Sequence, residues 1–466
     1  MERTEVLIIG GGPGGYVAAI TAAQAGAKVK LVEARELGGV CVSRGCIPTK
    51  SMNTTAKLLN NLKHAEDLGL EVLGYRLNYQ QVLARKNKIV ERLSKGVAQL
   101  LVSRGVEIIE GWAKMENLNT VDVNCEGGLK RVIQADRVIL ASGSAPAVPN
   151  IEGLNKVGFI TGDEALNLEE LPGEMVILGG GAVGVELATI FHHFGVKVTI
   201  IEAMPHILPA LDAEIALFLQ SSLLQQGISI SLNAQIDSVQ NIGDKITIDC
   251  RSGKELYSVT TDKLVIAVGR KPNIQGFEGI GLNLKNGAII VDEQMKTNIE
   301  GIYAIGDVTG PPYLAHVASA QGIVAAESCM GTKSKINYNA VPSAVFTIPE
   351  TACVGLTEDA ARKKVGNIKV GRFPLNANGR AVSSGETEGF VKVISDERFG
   401  EILGVHIVGS CAAEIIAAAT VAIEGEMTVD GLARTIHAHP TISEAVMEAA
   451  HDAVRGAIHL PFKPKK

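Results

Sequence analysis

Glu5-Val6-Leu7-Ile8-Ile9-Gly10-Gly11-Gly12-Pro13-Gly14-Gly15 runs an apolar strand directly into a glycine-rich turn. An uninterrupted apolar run bounded by glycine is the pattern of a strand buried on both faces, as in a parallel sheet. A small-residue helix follows through Ala25, then a second strand, Val29-Lys30-Leu31-Val32, which ends at Glu33. In that setting Gly10 makes the turn, and Gly12, followed by Gly14, lets a pyrophosphate approach the helix N-terminus. Gly15 lets the helix pack on the strand, and Glu33 receives a ribose hydroxyl. Strand, helix and spaced acid together make this a dinucleotide-binding unit rather than an ordinary glycine turn.

The unit occurs twice. Met175-Val176-Ile177-Leu178 leads into Gly179-Gly180-Gly181-Ala182-Val183-Gly184, a helix, and Val196-Lys197-Val198-Thr199-Ile200-Ile201, ending at Glu202. From first glycine to acid the spacing is 33 − 10 = 23 in one copy and 202 − 179 = 23 in the other. Gly179, Gly181, Gly184 and Glu202 thus repeat the roles of Gly10, Gly12, Gly15 and Glu33. After Glu202 come Ala203-Met204-Pro205-His206, with no arginine to receive a 2′-phosphate, so the second site favours NAD over NADP.

Just beyond the first unit stands Gly38-Gly39-Val40-Cys41-Val42-Ser43-Arg44-Gly45-Cys46-Ile47-Pro48-Thr49-Lys50. On a regular helix residues i and i+5 lie roughly 8 to 9 Å apart at Cα, whereas a disulfide spans about 4.4 to 6.8 Å. Cys41 and Cys46 can therefore bond only across a distorted segment, for which Gly38, Gly39 and Gly45 supply backbone freedom. Zinc would ask for a second ligand pair, and none follows, so no metal site is expected. Cys125, Cys250, Cys329, Cys353 and Cys411 are isolated and read as structural. In a reducing compartment a lone close pair reads as catalytic. A flavin bound by the first unit would lie against that pair, which favours FAD there.

At 466 residues the chain is too long for one core and suits three or four domains. Hydrophobic residues make up 46% and charged ones 20%, which argues for well-buried α/β structure and against disorder. The net charge of −6 is spread along the chain, so nothing suggests nucleic-acid binding; Lys463-Pro464-Lys465-Lys466 reads as a solvated tail. No apolar run is long enough to span a membrane, and a strand begins within a few residues of Met1, leaving no room for a targeting peptide. A cytoplasmic location is the expectation.

Val138 to Gly143, with Ser142 at its end, closes the first nucleotide region, and Leu264 to Arg270, passing Gly269, closes the second. That order is consistent with one domain inserted into another. Thr297 to Asp307 reads as a buried strand that delivers, past Gly306, the Asp307 carboxylate to the polar end of a ligand. From Val341 on, alternating strands precede two alanine-rich helices, with Ile436-His437-Ala438-His439-Pro440-Thr441-Ile442-Ser443-Glu444 between them. Pro440 suits a first helical position. His439 beside Glu444 could be a positioned base; taken alone, it reads more often as a capping or core histidine, and Glu444 as an acid complementing a helix dipole.

Together, CVSRGCIPTK after GGGPGG, the second GGGAVGVE, YAIGD and HAHPTISE resemble the pyridine nucleotide-disulfide oxidoreductases across essentially the whole chain. Within that family they are most similar to the branch that oxidises dihydrolipoamide. The resemblance implies an α/β fold with two Rossmann-like dinucleotide-binding domains, for FAD and NAD, and a C-terminal α+β dimerisation domain. The expected division is 1–150 and 271–340 for FAD, 151–270 for NAD and 341–466 for the interface. It implies that Cys41 and Cys46 form a redox-active disulfide facing the flavin, with Cys46 the nearer, and that the acid–base pair His439 and Glu444 comes from the second subunit of a homodimer. Lys50 and Glu186 would lie near the flavin ring and nicotinamide, with Ala113, Ser142, Gly143, Gly306, Asp307 and Ala315 also toward FAD and Gly269 toward NAD. The implied partners are lipoyl domains of a 2-oxoacid dehydrogenase acyltransferase or the glycine cleavage carrier protein.

Two departures stand out. Val42-Ser43-Arg44 replaces a Leu-Asn-Val type spacer, and Arg44 is expected to raise thiolate character beside the pair. The stretch from Leu314 to Gln321 lacks the acid common after its first alanine. A glutathione-type reductase would want arginines near Glu202, and a mercuric reductase would end in another cysteine pair where this chain has His459-Leu460-Pro461-Phe462. A redox sensor without turnover would have no need of the acid–base pair.

Overall fold

The computed structural model describes residues 1–461; Phe462 and the basic end read as a solvated tail lie outside the described residues. The first apolar run is the strand Glu2–Ile9, central in a sheet ordered Glu107–Glu110, Val29–Glu33, Glu2–Ile9, Lys130–Leu140, Thr120–Asn124 and Trp112–Met115. Glu2–Ile9 pairs in parallel with Val29–Glu33, Ile8 facing Leu31, and with Lys130–Leu140, Ile8 facing Ile139. Leu7, Ile8, Leu31 and Ile139 are fully buried, each such side chain contributing roughly 2 kcal/mol on removal from water. The strand Ile302–Ala304 returns to this sheet, parallel to Lys130–Leu140.

Between departure and return lies a second parallel sheet, ordered Ser229–Ser231, Lys197–Ile201, Glu174–Leu178, Lys263–Ile266 and Ile160–Thr161. Beside it is an antiparallel meander of Ala234–Ile242, Lys245–Ser252 and Glu255–Thr261. Both crossings between the sheets run through one small antiparallel ribbon, Ser144–Pro146 against Arg270–Pro272. The first sheet, antiparallel only at Thr120–Asn124 and Trp112–Met115, and the second thus each deliver a glycine turn at the carboxyl ends of their parallel strands, where open α/β sheets bind ligands.

The third sheet is antiparallel: Pro342–Val345, Thr351–Gly355, Ile402–Val408, Phe390–Asp396 and Ile368–Pro374. Ala412–Glu424 and Glu444–Val454 cover it, with the short helix Val429–Arg434 between them. Its strand residue Lys392 is buried to 2% side-chain exposure and reaches Asp212 at 2.8 Å, Glu358 at 2.8 Å and Glu214 at 3.0 Å. Asp212 caps the helix Ala213–Gln226 of the second unit. One ammonium therefore joins that unit to the C-terminal sheet.

Pro440 does not open a helix. The helix begins at Glu444, because that side chain accepts the Thr441 amide at 2.8 Å and bonds His439 at 2.9 Å, holding the residues before it in a loop. Among the described residues no helix is long and apolar enough to cross a membrane.

Candidate active site

The two glycine turns have matching construction. A Cβ on Gly15 would lie 1.8 Å from the Gly10 carbonyl oxygen, and one on Gly184 1.9 Å from that of Gly179. Only glycine lets either helix sit this close to its strand exit. Pro13–Gln24 and Ala182–His193 both start without a side-chain cap, so their first amides point to a ligand position. Glu33 accepts the Gly11 amide at 2.6 Å and Glu202 the Gly180 amide at 2.6 Å. Their second oxygens take Arg35 N and Met204 N, each at 2.8 Å. Every carboxylate oxygen keeps a lone pair for a ribose hydroxyl.

The rest of the first cradle converges on the same end of the sheet. Gly111 N donates to the Glu33 carbonyl at 2.8 Å, which puts Ala113 on the strand beside that acid. Ser142 donates to the Asn273 carbonyl at 2.6 Å, and the Gly143 carbonyl accepts the Asn273 amide. Gly306 N donates to Gln321 Oε1 at 2.6 Å, and Asp307 follows in a single 3₁₀ turn. Ala315 opens a second uncapped helix, which packs against the first through Gly14 and Gly322. Uncapped helix starts beside a carboxylate suit a dinucleotide, with amides for its phosphates and the acid for a ribose hydroxyl, so each cradle fits a dinucleotide cofactor. His316, standing where an acid is common, bonds the Pro342 carbonyl at 2.8 Å and so ties this helix to the C-terminal sheet.

The cysteine segment does distort. A short helix, Gly39–Ser43, stops at Arg44 and Gly45, and a new one, Cys46–Lys63, starts at the second cysteine. Gly39 has φ +60°, and a Cβ there would lie 2.7 Å from Gly12 Cα, so the redox segment rests on the nucleotide turn itself. Both cysteines are thiols in this structure. Cys46 is lowered to about 7, first by the hydrogen bond from the Cys41 thiol and then by the positive charge of Lys50, against burial and Glu186, which raise it. Its place at the first position of an 18-residue helix acts in the same sense. Cys41 is pushed far up, first by donating that hydrogen bond and then by burial. In the reduced pair the proton therefore rests on Cys41 and the thiolate on Cys46.

Lys50 forms a forked pair with Glu186, Nζ lying 3.0 and 2.9 Å from its two oxygens. Phe346, which the sequence did not single out, lies under the ammonium at 4.2 Å and donates its backbone amide to Glu186 at 2.9 Å. Three distant segments thus meet at one cation. Arg44, expected to act on the thiols, is instead paired with Glu36 at 3.1 Å, and the cation that lowers Cys46 is Lys50.

His439 stands apart from the thiols in the single chain. Its side chain is 78% exposed, and among the described residues its only hydrogen bond is Nδ1 to Glu444 Oε1 at 2.9 Å. Glu444 is held below the usual carboxylate range: burial opposes this, but the Thr441 amide and then His439 outweigh it. A charged carboxylate on Nδ1 fixes that nitrogen as the donor and leaves Nε2 free to take a proton.

Arg270 also emerged only from the structure. It bonds Ser144 Oγ at 2.7 Å, the Ser144 carbonyl at 3.1 Å and Asp163 at 3.0 Å. Ser144 in turn donates to Asp307 at 2.5 Å. A charged residue directly after the strand-end Gly269 was the available signal.

Comparison with known proteins extends the geometry to the whole chain. A dihydrolipoyl dehydrogenase of Thermus scotoductus is 41% identical over 99% of both chains, and one of Chlamydia trachomatis is 39% identical over 99% of both. Among solved structures, LpdA from Mycobacterium tuberculosis superposes with a TM-score of 0.88 at 29% identity, covering 97% of this chain and 99% of that one. The HOCl-induced flavoprotein disulfide reductase RclA of Escherichia coli gives 0.87 at 29% identity over 97% and 99%. Residues 341–450 match the family's dimerisation domain. Residues 4–322 match pyridine nucleotide-disulphide oxidoreductase, and the chain belongs to that family.

Proposed function

We propose that this chain is a dihydrolipoyl dehydrogenase: it oxidises dihydrolipoamide carried on a partner protein and reduces NAD⁺ to NADH. The observation that carries the reading is the Cys41–Cys46 pair resting on the first glycine turn, with its thiolate on the residue beside Lys50 and Glu186. Full-length likeness to curated dihydrolipoyl dehydrogenases supports it. FAD would be held by residues 1–150 and 271–340 and NAD by 151–270; the flavin supplies passage of an electron pair from dithiol to nicotinamide.

The chain's own part is thiol and proton chemistry. A substrate thiolate attacks the Cys41–Cys46 disulfide at Cys41, releasing Cys46 as a thiolate, which its lowered pKa makes a good leaving group. The second substrate thiol displaces Cys41, closing lipoamide and leaving a reduced pair. His439 Nε2 takes the thiol proton, while Glu444 holds the ring by its Nδ1. Overall, dihydrolipoamide and NAD⁺ become lipoamide, NADH and a proton.

His439 is solvent-exposed and distant in sequence from the pair, and it falls inside the matched dimerisation region. Those facts support a homodimer in which each His439 and Glu444 serve the other chain's cysteines, with the substrate delivered on the lipoyl domain of a 2-oxoacid dehydrogenase acyltransferase or glycine cleavage carrier. The test is purified protein given dihydrolipoamide with NAD⁺ or NADP⁺: NADH formation, lost in Cys46→Ser, is the expected result. No turnover with NAD⁺ would overturn the reading.

A further inference from the structure

The ribbon of Ser144–Pro146 and Arg270–Pro272 carries the chain from the first nucleotide unit to the second and back. Arg270 sits on it with its guanidinium nearly enclosed, at 18% side-chain exposure, and engaged on two sides. On one side Nε donates to Ser144 Oγ at 2.7 Å and Nη2 to the Ser144 carbonyl at 3.1 Å. Ser144 Oγ donates its own hydrogen bond to Asp307 Oδ2 at 2.5 Å, and Arg270 Nε itself lies 3.9 Å from that oxygen. On the other side Nη1 donates to Asp163 Oδ1 at 3.0 Å.

Asp163 lies in the first turn of the short helix Gly162–Ala165. That helix is pressed against the second fingerprint helix: a Cβ on Gly162 would lie 2.8 Å from Val183 and 3.6 Å from Leu187. Val183 belongs to the first turn of Ala182–His193, the helix whose uncapped amides open the second cradle. A continuous set of contacts thus runs from Asp307 through Ser144, Arg270, Asp163 and Gly162 to the start of the NAD helix. A guanidinium makes three donor contacts in a fixed planar arrangement, which an ammonium cannot reproduce.

We propose that Arg270 is a positioning residue that couples the flavin-facing Asp307 to the NAD-binding helix and sets the distance and angle at which the two dinucleotides meet. This rests on the assignment of FAD and NAD to the two cradles, but not on the identity of the dithiol substrate. Ser144 is the arm toward the flavin, and Asp163 the arm toward NAD.

The test uses the FAD-loaded protein and two half-reactions read from the flavin spectrum, reduction by NADH and reduction by dithiothreitol. Neither needs dihydrolipoamide, so a chain that fails to oxidise dihydrolipoamide still reports on Arg270. Arg270→Lys and Asp163→Asn are expected to slow reduction by NADH about tenfold while reduction by dithiothreitol stays within about twofold. Hydrogen exchange should rise in residues 160–166 in both variants, and Ser144→Ala should release FAD several-fold faster on dilution while Asp163→Asn does not. Wild-type NADH rates in both Arg270→Lys and Asp163→Asn would overturn the proposal. So would an equal slowing of both half-reactions with a lowered melting temperature, since that is the signature of a merely structural arginine.

Discussion

Replacing Lys50 by Met should move the titration of Cys46 upward, by an amount the helix geometry sets. Lys50 follows Cys46 by one turn of the same helix, which puts the two side chains about 6 Å apart. At an effective dielectric of about 20 that separation is worth about 2.8 kcal/mol, or about two pKa units, as a ceiling. Lys50 is about one-third exposed and shared with Glu186, so roughly one unit is the expected shift. Starting from about 7, the thiolate fraction at neutral pH falls from about half to about a tenth. The same substitution leaves Glu186 uncompensated, which acts in the same upward direction. Glu186→Gln, by contrast, removes an influence that raises Cys46 and should shift its midpoint down. Arg44→Ala should leave it unmoved, because Arg44 is committed to Glu36. The assay is the ultraviolet absorbance of the thiolate in dithiol-reduced protein, titrated with pH and corrected with Cys46→Ser. A midpoint that stays put in Lys50→Met, or rises in Glu186→Gln, would refute the electrostatic reasoning.

Other outcomes follow from the same geometry. His439→Gln should lower dihydrolipoamide turnover by about 10² to 10⁴-fold, with partial recovery at alkaline pH as substrate thiols ionise unaided; flavin reduction by NADH should be unchanged. Gly39→Ala, placing a Cβ 2.7 Å from Gly12 Cα at φ +60°, should weaken FAD retention, measured as flavin fluorescence released on dilution. Lys392→Met strands the buried Asp212 and should cost about 3–5 kcal/mol, read as a lower denaturant midpoint. Stability should also fall with acidification: buried His406 is lowered by desolvation, so below about 6.5 the unfolded chain binds a proton that the folded one does not. Asp212, Glu214 and Glu358 are lowered too and add their loss below about pH 4.5, whereas Lys392, which is raised, loses its contribution only above about pH 10.5. A flat acid limb would contradict this.

What could be read without coordinates was local. The glycine turns were legible because Gly10 to Glu33 and Gly179 to Glu202 each carry a strand, a turn, a helix and an acid within one short stretch, and helix-on-strand contact excludes any side chain at Gly15 or Gly184. The distortion between Cys41 and Cys46 followed from helix geometry alone, and the break at Arg44 and Gly45 bears it out. Long-range pairing had no such signal. Nothing near Lys50 announces Phe346, and nothing near Lys392 announces Asp212, because those contacts depend on how separate sheets pack. The start of the last helix was misread for a related reason. Pro440 satisfies a positional preference, but the Glu444 carboxylate gathers the Thr441 amide and His439 and holds the loop open for longer.

The bonds from Glu33 to Gly11 N and from Glu202 to Gly180 N bear on biogenesis. Each acid closes its turn with the chain's own atoms, across a single strand–helix–strand unit whose parts emerge in sequence during synthesis. A nascent chain can therefore shape the turn of its first cradle long before the C-terminal sheet exists. The turn is an early event in assembly, whereas the cradle around it closes only when Ile302–Ala304 has returned to the sheet and brought Gly306 and Asp307 with it.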